Sequence, residues 1–137
     1  MAVMDETTLT LATVTGITGR INAIGVWDPN EPTAYGYGAY VAVYTYDGGT
    51  GTTPVLVLGS KLSVRVDWEN TCLATVKGHV DVDITEPDGN SVRLTATQGN
   101  DETIGPGGTQ TVVFEDALTL DQVGNYSGKV TLTGVAV

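Results

Sequence analysis

The chain has 137 residues, 41% of them hydrophobic and only 16% charged, with 18 glycines. That length serves one core, and the abundance of Thr, Val and Gly favours many short strands over helices. A formal charge of −10, with six Lys and Arg residues scattered along the chain, weighs against a nucleic-acid partner, because phosphate binding needs clustered cations. The single cysteine, Cys72, excludes an intrachain disulfide and a cysteine-based zinc site.

The opening Met1-Ala2-Val3-Met4-Asp5-Glu6 has neither the basic region nor the apolar stretch of a signal peptide, and no apolar run in the chain reaches membrane-spanning length. Neither a visible export signal nor a membrane partner is expected. Residues 7–14 and 17–26 read as strands. A loop follows at 27–38, Trp-Asp-Pro-Asn-Glu-Pro-Thr-Ala-Tyr-Gly-Tyr-Gly, and then a strongly strand-prone run from Ala39 to Tyr46. The Gly- and Thr-rich stretch 47–53 connects to Val55–Leu58. Residues 1–53 are read as an N-terminal arm of extra strands packing on or beyond a sandwich formed by residues 54–137.

The second half is patterned more sharply. In Lys61–Trp68 polar and apolar residues alternate without a fault, which sets Leu62, Val64, Val66 and Trp68 on one face. After a turn-like Glu69-Asn70-Thr71, Val76, Gly78, Val80, Val82 and Ile84 share a face, with Lys77, His79, Asp81 and Asp83 on the other. Glu86-Pro87-Asp88-Gly89-Asn90 predicts a hairpin, because proline fixes the approach and glycine accepts positive φ. Ser91–Thr97 returns as a strand, residues 98–108 read as a loop rich in turn residues, and Thr109–Glu115 is a strand with Val112 and Phe114 inward.

Next, Asp121-Gln122-Val123-Gly124-Asn125-Tyr126 has the Asp-x-x-Gly-x-Tyr form of a tyrosine corner, in which the phenol oxygen bonds upstream backbone. Gly128, Val130 and Leu132 carry the face of Tyr126 into a last strand; Gly128 stands where an antibody domain has its second cysteine. The order of Val-rich strand, long strand, Pro-Asp-Gly-Asn hairpin, Gly-Pro-Gly-Gly loop and Gly-x-Tyr corner resembles bacterial, archaeal and phage immunoglobulin-like modules of the CARDB and NEW3 kind, over about residues 55–134. The resemblance implies an all-β, immunoglobulin-like antiparallel β-sandwich with a strand-rich N-terminal extension. It also implies a binding or spacing role, with no active site. Trp68, Gly124 and Tyr126 are its structural residues.

Candidate chemistry is sparse. His79 is the only histidine, so any Ser-His-Asp arrangement has to use it. Periodicity places it outward among Lys77, Asp81 and Asp83, with no loop around it. Asp81 and Asp83 lie on an open strand face, which is a poor sugar cleft. Asn100, Asp101 and Glu102, or Asp28, Asn30 and Glu31, offer clustered oxygens without a calcium-loop spacing. Gly124–Val130 lacks the spacing and the following helix of a phosphate loop, and the Asn125-Tyr126-Ser127 sequon is explained by the corner. No catalytic residue, cofactor or metal is expected.

The feature that invites a functional reading is aromatic clustering. Tyr35, Tyr37, Tyr40, Tyr44 and Tyr46 follow shortly after Trp27, and tyrosine and tryptophan build interface hot spots and sugar-stacking platforms. Two readings follow. In the first, the protein is a non-catalytic structural or interaction protein that self-associates or joins a larger protein lattice such as a capsid. Its setting is a virion assembled in the host cytoplasm, with the chain as a decoration or accessory protein. In the second, it is an extracellular adhesive or carbohydrate-binding module that uses Trp27 and the tyrosines.

Overall fold

A computed structural model describes residues 2–6, 19–27, 40–45, 58–59 and 61–137. Among these the chain is all-β and folds as a sandwich of two antiparallel sheets, with no helix. The strands are β1 (Ala2–Glu6), β2 (Gly19–Trp27), β3 (Tyr40–Thr45), β4 (Lys61–Asn70), β5 (Val76–Thr85), β6 (Ser91–Arg93), β7 (Thr103–Ile104), β8 (Thr109–Thr119) and β9 (Ser127–Ala136). One sheet runs β1-β9-β5-β6, with β7 also on β5; the other runs β3-β2-β4-β8. The N-terminal third thus gives β1 to the first sheet and β2 and β3 to the second. The expected strand at 7–14 lies outside the described residues.

The core forms where the two alternating strands face each other. Leu62, Val64, Val66 and Trp68 of β4 and Val112 and Phe114 of β8 pack against Val80, Val82 and Ile84 of β5 and Val130 and Leu132 of β9. Each such side chain contributes on the order of 1.5–3 kcal/mol when fully buried. Trp68 spans the gap between sheets, and its indole lies over Gly78, where any Cβ would fall inside the ring. This explains the glycine in an otherwise Val-rich face: the largest core side chain needs the smallest partner. The indole Nε1 is buried without a hydrogen-bond partner among the described residues.

Five expectations are corrected by the pairing. Trp27 is the last residue of β2, opposite Tyr40 and Ser63, and does not begin a loop. β4 continues through Asn70, because the Asn70 backbone N–H and C=O bond Gly108 and Gly107. β6 stops at Arg93, because the chain there changes sheets: Leu94 N–H still donates to Val82 O, but Thr97 N–H donates to Val113 O on β8. The segment then returns to β5 as β7, inside what the sequence offers as loop. β8 also runs past Glu115 to Thr119, through a bulge that sets residues 115–117 opposite Ser63. Asp116 takes φ +46 there and donates its N–H to Ser63 Oγ at 2.9 Å.

Candidate interaction surface

The lower end of the sandwich, where β4 begins and β8 ends, gathers the 86–90 hairpin and the 120–126 corner. Gly89 N–H donates to Glu86 O across Pro87 and Asp88, and Gly89 then takes φ +91, a turn followed by a left-handed glycine. In the corner, Gln122 N–H donates to the Tyr126 hydroxyl at 3.0 Å. That is the bond the Gly-x-Tyr signature predicts. Gly124, at φ +135, packs so closely on Pro87 that a Cβ would stand 2.9 Å from the proline ring. The Gln122 amide ties the two loops together, accepting from Asp88 N–H at 3.0 Å and donating to Glu86 and Asp88 carboxylates at 3.3 and 3.2 Å.

Three carboxylates, Glu86, Asp88 and Asp121, meet at this end. Partial burial raises the Glu86 pKa above the ordinary carboxylate value, and the charges of Asp88 and Asp121 push it further the same way. Beside them Val123 and Leu58 are 85% and 58% exposed. Trp27 and Tyr40, register partners of each other, stand at this end too, because Trp27 pairs with Ser63 near the start of β4. The aromatic-rich stretch therefore departs from and returns to the end that carries the corner and the hairpin.

Of the aromatic residues singled out, Trp27 and Tyr40 are thus brought together at the level of the backbone. Tyr44 lies further along β3, opposite Ile24. Tyr35, Tyr37 and Tyr46 lie outside the described residues, as do Asp28, Asn30 and Glu31. Trp68 and Tyr126 belong to the core and the corner.

The polar residues weighed for catalysis or calcium hold the fold together. His79 is not an isolated strand-face residue: its Nδ1 lies 3.0 Å from Asp101 and its Nε2 3.0 Å from Asp81. A doubly protonated ring donates to both carboxylates, a neutral ring to one. Arg93 binds Asp83 through two nitrogens and lies 3.9 Å from Asp81; the Asp83 bond, with both carboxylates, raises its pKa, so it stays charged. The loop expected to be absent beside His79 is present because residues 99–104 run along β5. Asn100 clasps Val80 there, accepting its N–H at 2.7 Å and donating to its C=O at 2.9 Å. A side-chain amide thus imitates a neighbouring strand, and Asn100 is engaged with backbone where a calcium loop needs its oxygen free.

At the upper end, fully buried Asn70 performs a similar task. Its amide donates to Ala74 O and Ile104 O, both at 2.9 Å, and its oxygen accepts from the Cys72 N–H and thiol at 3.0 and 2.9 Å. Sequence reasoning missed both asparagines as organisers. Their partners lie up to 34 residues away, so only the flanking turn residues signalled that a loop was being held. Among the described residues no group of three His, Cys, Asp or Glu side chains is arranged to hold a metal ion. What this geometry offers chemically is a rigid platform: two loops locked to each other, acidic and partly apolar, beside the paired Trp27 and Tyr40. Compared with family models, curated proteins and solved structures, the chain finds no match in any of the three.

Proposed function

We propose that the chain is a non-catalytic structural and interaction protein that works in many copies, most concretely on the surface of a virion as a capsid decoration or accessory protein. The observation that carries this reading is the register of Trp27 with Tyr40. It sets both ends of the aromatic-rich stretch at the end where the exposed Val123 and Leu58 and the locked 86–90 and 120–126 loops lie. Aromatic residues suit protein–protein contact, because they bury a large area at little cost in side-chain entropy. Further support comes from the polar clusters, which are tied into strand and loop geometry: His79 to Asp81 and Asp101, Asn100 to Val80, Asn70 to Cys72.

The test is the mass of the purified protein in solution together with co-sedimentation on capsid and tail lattices. More than one copy per particle, or saturable binding to such a lattice that weakens at least about 10-fold in Trp27→Ala, supports the reading. A strict monomer that binds no lattice overturns it. Signal on a glycan array that Trp27→Ala abolishes would transfer the aromatic surface to the carbohydrate-binding alternative.

A further inference from the structure

Among the described residues the two sheets have four edges, and these are guarded unequally. A bare strand edge is a template for another strand, and proteins protect edges with charges, bulges, short strands or covering segments. The β1 edge has a register shift at Met4 and the acidic pair Asp5 and Glu6. The β5 edge is closed by β6 and β7, strands of three and two residues, the first carrying Arg93. β8 is covered at Val113 by residues 97 and 98, and its lower half is bent by the 115–117 bulge with Glu115 and Asp116. The last edge is β3, Tyr-Val-Ala-Val-Tyr-Thr, which has no charge and no proline. Among the described residues it pairs with β2 alone, with its one register irregularity near the lower end, between Tyr40 and Ala42.

The sequence of this strand names its occupant. Tyr40-Val41-Ala42-Val43-Tyr44 reads the same in both directions. Two copies laid antiparallel about a two-fold axis through Ala42 set Tyr40 opposite Tyr44 of the second copy, Val41 opposite its Val43, and Ala42 opposite itself. Aromatic and β-branched residues are the favoured cross-strand pairs, and every pair in this register is matched. An isologous interface requires this self-complementarity. Charge points the same way: two chains of charge −10 each approach most closely where neither brings a charge to the contact.

We infer that β3 is the edge through which a second copy of this chain adds, joining two four-stranded sheets into one continuous sheet across a two-fold axis at Ala42. This rests on the multi-copy reading above and names the surface by which copies meet.

Two substitutions at one residue test it on the full chain. Ala42→Lys sets two ammonium groups opposite each other at the axis. It is expected to raise the dimer dissociation constant at least about 100-fold by sedimentation equilibrium, with the far-ultraviolet circular dichroism unchanged. Ala42→Cys sets two thiols within disulfide reach of each other and is expected to form a cross-linked dimer on mild oxidation. The parent chain, with Cys72 buried, is the control and stays uncross-linked. If Ala42→Lys fails to fold, the Ala42→Cys result decides. A multi-copy protein whose assembly ignores Ala42→Lys, or whose Ala42→Cys variant does not cross-link, leaves the multi-copy reading standing and overturns the β3 interface. A parent chain that is monomeric at all concentrations overturns the β3 interface, and overturns the multi-copy reading as well only if it also binds no lattice.

Discussion

The two flanks of the sandwich are built on opposite plans. On one, residues 91–104 leave β5, bond β8 and return to β5, so a single segment closes both sheets with backbone and asparagine contacts. On the other, among the described residues, the sheets end in separate strands, β1 and β3, and β3 carries no charge at all. The contrast teaches that edge protection here is placed selectively. Where a flank is closed, the sequence devotes Gly99, Asn100, Asn70 and a left-handed Asp116 to closing it; the flank with β3 has an uncharged palindrome instead.

The largest expected effect comes from breaking the closed flank at its tightest point. Gly99 has φ +89, and a Cβ there would drive into the Thr111 carbonyl of β8. Gly99→Val should cost more than about 3 kcal/mol, since both strain and a backbone clash oppose it, measured by urea unfolding. Asn70→Ala comes next. It removes the Asn70 bonds to the Ile104 carbonyl and the Cys72 N–H and leaves the Ala74 carbonyl only the weak Cys72 thiol donor, and should cost about 3 kcal/mol. Asn100→Ala should cost about 2 kcal/mol, because it unpairs the Val80 N–H and C=O together. It should also speed amide exchange at Val80 and Asp101 while leaving any assembly through β3 intact. That separation sharpens the contrast between the flanks.

The smallest effect lies at the lower end. Glu86 holds its proton more tightly folded than unfolded, since burial and then Asp88 and Asp121 raise its pKa. Its contribution is therefore fully present below the ordinary glutamate value and is lost as pH rises through the raised one. Glu86→Gln should remove this slope. The variant should match the parent near pH 4 and unfold at a slightly higher temperature near pH 7, by calorimetry at both.

How much of this was legible follows from the range of the forces involved. The faces of β4 and β5 could be read because burial of one side imposes a period of two on neighbouring residues. The Tyr126 corner could be read because its bond spans four residues to Gln122. The closed flank could not, since the Asn100 clasp joins positions 20 residues apart, and nothing near Ser91–Thr97 signals that the strand changes sheets. The β8 bulge was hidden for the same reason: Ser63, which receives Asp116, is 53 residues away. At the candidate surface the aromatic residues announced themselves by type. Their placement depended on a register shift in β2 and β3 that put Trp27, expected in a loop, opposite Tyr40.

The central claim, one flank sealed within the chain and one that recruits a second copy, is tested most directly by residue-resolved amide exchange at two protein concentrations. Slow, concentration-independent exchange is expected at Val80, Asp101 and Val113, whose N–H groups are bonded to Asn100, Gly78 and Gln98. The Tyr40–Thr45 amides not bonded to β2 should gain protection at least about 10-fold as concentration rises through the dimer dissociation constant. Exchange in β3 that ignores concentration, or fast exchange at Val80 and Asp101, would contradict the claim.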